Sequence, residues 1–216
     1  MINETDIWVK IFRSGVLALA IFFFFLPLFE GAFISFFTRG RYLTNWSLYC
    51  SLIAAAVMWA RSFGWGVRRY DGFIGATIVL NILVVFLYWK LYFEDPALVN
   101  DDGPLVWWKE YYLHLGLQIL MWLDAFLIFG AYQKIRPTIL WLLGFIAAYV
   151  ILLEVIVHPL SSSPIGSVTN GLPYPFLNDM VLNERFLFYG TTVLTAFIFL
   201  GLTLGLQLFI NRSSRA

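Results

Sequence analysis

The chain has 216 residues, 61% of them apolar and only 12% charged, with a mean hydropathy of +0.80 and a formal net charge of +1. Soluble domains carry about a quarter charged residues, so this composition excludes an ordinary water-soluble globule. A near-neutral chain has no basic face for nucleic acid; the partner it implies is the bilayer.

In hydrocarbon the backbone must satisfy its own hydrogen bonds, so long apolar runs become helices. Six such runs are present, at about 11 to 37, 45 to 63, 72 to 93, 108 to 132, 137 to 157 and 184 to 210. Each is long enough to cross a core of about 30 Å at about 1.5 Å per residue. The expected fold is all-α, a bundle of six transmembrane helices forming a single domain over residues 1–216. No small-residue cleavage site follows the first run, which therefore reads as a retained span.

The second run opens with "RGRYLTNWSLYC", where charge gives way to apolar residues at Thr44 and Asn45. A Thr at that point is an ordinary helix N-cap, with Ser47 at the third helical position. Spacing alone favours the cap, but the same hydroxyl can also act as a nucleophile. Free N–H groups and partial positive charge near Asn45 and Trp46 would suit an oxyanion. The fourth run, "WWKEYYLHLGLQILMWLDAF", begins with an interfacial aromatic belt and carries His114 about two turns inside. An imidazole titrates near neutrality and is the natural proton acceptor. Glu110, one turn earlier, is spaced to orient it. The plainer alternative is a histidine bonded to a neighbouring helix.

Other ionisable residues inside spans are functional candidates because burying them in lipid is costly. They are Glu30 after Pro27, Asp124 and Glu154, with His158 at the end of the fifth run. Asp124 lies about 15 Å beyond His114 along the helix and reads as buried structural support, partnered by a hydroxyl, by Asn81 or by water. Glu30, Asp124 and Glu154 are also the set that an ion or proton path would use. The loop "NGLPYPFLND" is stiffened by Pro173 and Pro175. It is either a lid over the mouth, presenting Tyr174 and Phe176, or a plain rigid connection. In the last run Gly201 and Gly205 form a small-xxx-small pattern, expected to be a packing face.

Six spans put both termini on one side, and nine of the 14 Lys and Arg fall there. The positive-inside rule makes that side cytoplasmic. The second helix then enters, and the fourth starts, on the opposite side, so Thr44 and His114 share one depth. Two familiar chemistries find no support. Only two histidines exist, without H-E-x-x-H, so no zinc site is expected; a G-x-S-x-G elbow is missing. Cys50 lies in an apolar run and is the single cysteine.

Three segments resemble one known family. "RGRYLTNWSLY", "LHLGLQILMWLDAF" and "GLPYPFLND" followed by "RFLFYGTTVLTAFIFLGLTLG" are similar, in order, to segments of the androgen-induced and androgen-dependent multipass membrane proteins. That family comprises threonine hydrolases that cleave fatty-acid esters of hydroxy fatty acids. The resemblance implies that Thr44 is the nucleophile and His114 the base. It implies a lipid substrate with acyl chains, no cofactor or metal, and residence in the endoplasmic reticulum or plasma membrane. It places Asp124 where the family has an acidic residue. One departure is that Tyr111 or Tyr112 stands where the family often has a second histidine. The rival readings are a transporter using the buried carboxylates, or a non-catalytic membrane scaffold in which Thr44 is only a cap.

Overall fold

A computed structural model describes residues 2–29, 39–99, 106–160 and 171–213. It is all-helical, with six helices long and apolar enough to cross a membrane: α1 (Ile7–Phe29), α2 (Leu43–Ser62), α3 (Asp71–Glu94), α4 (Trp107–Phe129), α5 (Ile135–Leu160) and α6 (Leu182–Ser213). Their side chains leave a wide apolar exterior, including Trp8, Leu140, Leu194 and Phe209. Such a surface is stable only against lipid.

The middle of the bundle is α3, which packs against α2, α4, α5 and α6. Its first half, residues 71–84, is almost wholly buried among them and needs no polar face. Close approach to α5 depends on two glycines. A Cβ at Gly72 would lie 2.4 Å from Pro137 Cβ, and one at Gly75 would lie 3.1 Å from Thr138. The junction is sealed by Asp71, whose Oδ2 accepts the Lys134 N–H at 2.9 Å just before α5 begins.

Buried polar residues tie the helices together, as hydrocarbon surroundings require. Asn81 of α3 bonds Ser47 and Ser51 of α2, at 2.7 and 3.0 Å. Arg13 of α1, 1% exposed, forms a two-pronged pair with Asp124 of α4, both bonds at 2.8 Å. Its remaining nitrogen donates to Met58 O at 2.7 Å and to Glu4 at 3.2 Å. The partner of Asp124 is thus a guanidinium, in place of the hydroxyl, asparagine or water expected. Glu4 also binds Arg61 and lies 3.6 Å from Arg69. Burial pushes the Glu4 carboxyl up, but hydrogen bonds and charge from Arg61 and Arg13 outweigh it and hold it below its ordinary value.

Two expectations need correction. The glycine pattern of α6 does not pack against the other described helices of the chain: Gly201 and Gly205 are exposed, with open space where a Cβ would sit. Packing on that helix uses Ala196, Leu200, Thr203 and Gln207. The second helix also starts earlier than position 45, so Thr44 lies inside it.

Three stretches widen from α to π geometry: Tyr112–Gly116 and Asp124–Phe129 in α4, and Leu152–Val157 in α5. Each contains one of the intramembrane ionisable residues, namely His114, Asp124 and Glu154. Such bulges concentrate at functional sites because they re-aim a side chain.

Candidate active site

Thr44 is positioned by the turn that precedes α2. Residues Arg39–Arg41 form one turn of 3-10 helix, closed by Tyr42 N–H on Arg39 O at 3.0 Å. Asn45 Nδ2 donates to Arg39 O at 2.9 Å, and Trp46 Nε1 donates to Gly40 O at 2.8 Å. Tyr149 of α5 donates to Arg41 O at 2.8 Å, while Arg41 reaches Gly171 O at 3.0 Å. The side chains of Asn45 and Trp46, near whose backbone N–H groups an oxyanion is expected, hold this turn. The Asn45 backbone N–H is likewise engaged, on Tyr42 O at 3.0 Å.

The cap position belongs to Tyr42, which makes no side-chain cap bond, and Thr44 is the second helical residue. Ser47 is turned into the core toward Asn81. The Thr44 hydroxyl therefore does not cap its helix. It lies 3.2 Å from His114 Nε2.

His114 is held from several directions. Its Nδ1 is 3.1 Å from the Glu110 carbonyl oxygen and 3.1 Å from Glu110 Oε2. Both neighbours are acceptors only, so Nδ1 carries the hydrogen and Nε2 presents a lone pair to Thr44. Tyr88 of α3 stacks on the imidazole and donates its hydroxyl to Glu110 Oε2 at 2.8 Å. Trp89 Nε1 donates to His114 O at 3.1 Å. The sequence of contacts is hydroxyl, imidazole, carboxylate, the arrangement of nucleophile, base and orienting group. Tyr88 was invisible as a site residue in the sequence, since in "FLYWKLYF" it reads as one more interfacial aromatic.

These groups face a cavity of about 330 Å³ lined by apolar residues such as Phe23, Leu26 and Leu87, and by Arg39, Lys109 and Tyr174. Of the Tyr-Pro-Phe segment, Tyr174 reaches the wall of this cavity. Pro175–Asp179 is a short helix, Leu172 and Leu177 are buried, and Asn178 bonds Leu172 and Tyr174 on both sides. Burial, with Tyr42 nearby, pushes the Tyr174 phenol up from its ordinary value, so it meets the cavity as a neutral hydroxyl.

The other candidate carboxylates lie elsewhere. Asp124 is paired with Arg13. Glu154 of α5 binds Arg185 of α6 at 2.8 and 2.9 Å and accepts the Tyr189 hydroxyl at 2.7 Å. Asp124 lies near the end of α4 and Glu154 near the end of the antiparallel α5, so the bundle separates them along its axis. His158 is exposed at the end of α5. Glu30 lies outside the described residues.

Fold and site together define a six-span helical membrane protein with a hydroxyl–imidazole–carboxylate cluster at one end of its bundle. The chain belongs to the FAR-17a/AIG1-like protein family, which it matches over residues 11–208. No curated protein and no solved structure matches it.

Proposed function

We propose that the protein is an intramembrane lipid ester hydrolase. The observation that carries this reading is the 3.2 Å approach of Thr44 Oγ1 to His114 Nε2, with the opposite ring nitrogen facing Glu110. His114 takes the hydroxyl proton as Thr44 Oγ1 attacks the ester carbonyl. The oxyanion forms at the N-terminus of α2, where the helix dipole is positive. His114 then protonates the departing alcohol, leaving an acyl group on Thr44. A water deprotonated by His114 attacks that acyl carbonyl, the fatty acid leaves, and Thr44 recovers its proton.

Glu110 holds the imidazole in one tautomer and offsets the charge of the imidazolium. Tyr88 in turn fixes Glu110. The substrate class is an ester with long acyl chains, of the kind in which two fatty acids are joined through a hydroxyl. The resemblance of the Thr44 and His114 segments to the androgen-induced proteins supports that choice. On the distribution of Lys and Arg, the site opens on the non-cytoplasmic side of an endoplasmic reticulum or plasma membrane. Transport gains less support, because Asp124 and Glu154 are each neutralised by their own arginine.

A fluorophosphonate probe on the purified protein, with peptide mass mapping, tests the reading. The expected result is an adduct on Thr44 that vanishes in His114→Ala. Folded protein that takes no adduct, or takes it elsewhere, removes Thr44 from the role of nucleophile.

A further inference from the structure

A second chamber, of about 90 Å³, lies beside the site, among α2, α3, α5, α6 and the 171–180 segment. Leu43, Leu87, Leu91 and Tyr174 line both spaces and form the partition between them. Leu43 immediately precedes Thr44, so the chamber begins one residue from the proposed nucleophile.

The interior of this chamber is hydrocarbon. Trp46, Tyr149 and Tyr189 line it with their rings, while their polar atoms are bonded elsewhere, to Gly40 O, Arg41 O and Glu154. Phe145, Ile146, Leu177 and Val193 complete the wall, and the one charged lining residue, Lys90, is exposed. Water entering such a space would find too few partners to replace its own hydrogen bonds. A flexible alkyl chain needs none.

The geometry points to this chamber as the acyl-chain subsite of the site, a reading that rests on Thr44 as the residue that receives the acyl group. An ester whose carbonyl lies at Thr44 threads its acyl chain past Leu43 into the space between α5 and α6. The alcohol half stays in the larger cavity, beside Arg39 and Lys109. The depth of the chamber, walled by Ile146 and Val193, then sets which acyl lengths are accepted.

Two measurements on the full chain in lipid nanodiscs test this. The first does not depend on catalysis: Thr44→Ala protein is irradiated with palmitic acid bearing a terminal diazirine, and the label is mapped. Label on Phe145, Ile146, Leu177 or Val193, displaced by excess palmitate, supports the subsite. Label confined to outward-facing residues, or no displaceable label, overturns it. The second compares hydrolysis of butyrate and palmitate p-nitrophenyl esters by wild type, Ile146→Trp and Val193→Trp. Filling the chamber is expected to lower kcat/KM for palmitate by at least about tenfold and to spare butyrate. Equal loss on both esters by both variants, or no loss on either, overturns the subsite. Displaceable label in the chamber of a protein that hydrolyses neither ester leaves the subsite standing and removes the hydrolase reading instead.

Discussion

Tyr88 lies flat on His114, with ring centroids 3.4 Å apart and planes 6° from parallel, and its hydroxyl binds the same carboxylate that the imidazole faces. One residue of α3 thus fixes both members of an α4 pair, so the imidazole is held by a neighbouring helix as well as by its own. Tyr88→Phe keeps the stack and removes one hydrogen bond to a carboxylate, worth about 1.5–3 kcal/mol. The expected effect is a fall in kcat of about tenfold with KM little changed. Tyr88→Ala, which also frees the ring, is expected to fall further. Steady-state kinetics on a long-chain ester checks both.

Glu110→Gln removes the negative charge that stabilises the imidazolium. In serine proteases, replacing the orienting carboxylate by its amide costs about 10⁴ in kcat because the tautomer is lost. Here the Glu110 backbone carbonyl still accepts from Nδ1, so the tautomer survives. The expected loss is about 10- to 100-fold in kcat, with KM little changed. A loss as large as that of His114→Ala would refute this division of labour.

Arg39 lines the cavity beside Thr44. A guanidinium there suits a carboxylate at the alcohol end of the ester. Arg39→Gln is expected to raise KM about tenfold for an ester carrying a free carboxylate and to leave its methyl ester nearly unchanged. Equal effects on the two substrates would show that Arg39 only shapes the turn.

Removing one partner of a buried ion pair strands the other charge, which costs about 3–5 kcal/mol. Asp124→Asn and Arg13→Met are each expected to lower the unfolding temperature in detergent sharply. The double variant Arg13→Met/Asp124→Leu should recover most of the loss, since apolar replacements of a buried pair are often neutral. Failure of the double variant to recover would mean that the bonds of Arg13 to Met58 O and Glu4 matter more than the pair.

Glu4 ties three arginines to the N-terminus, and its folded pKa is held below its ordinary value. A depressed carboxyl contributes stability that is complete above its unfolded pKa, about 4.3, and is lost as pH falls through the folded value. Unfolding temperature should therefore decline on acidification below about pH 4.3, and Glu4→Gln should flatten that decline while lowering stability at neutral pH. An unchanged acid limb would assign it to other carboxylates.

The six spans were legible because lipid imposes one rule on long apolar runs, and their observed limits lie within a few residues of expectation, except that the last residues expected in the first span lie outside the described residues. The shared depth of Thr44 and His114 followed from topology alone. The start of α2 did not, since it depends on side chains of Asn45 and Trp46 reaching back to a turn, and hydropathy carries no trace of that. Arg13 looks like an ordinary boundary charge in the sequence, because its partner is 111 residues away. Tyr88 was hidden by its company of interfacial aromatics, and its role exists only once α3 lies against α4.

A membrane helix normally keeps its carbonyls to itself, which leaves neighbouring polar side chains with little to grip. The widened turns change that. In and beside them, Leu113 O accepts from Gln118, His114 O from Trp89, and Phe126 O from Gln207 of α6. The main chain becomes a row of sockets at the levels where the bundle carries its polar cargo. Straightening the Tyr112–Gly116 turn to α geometry would close the first two sockets and swing the imidazole away from Thr44. The register of one loosened turn is therefore as much a part of the proposed base as the histidine is.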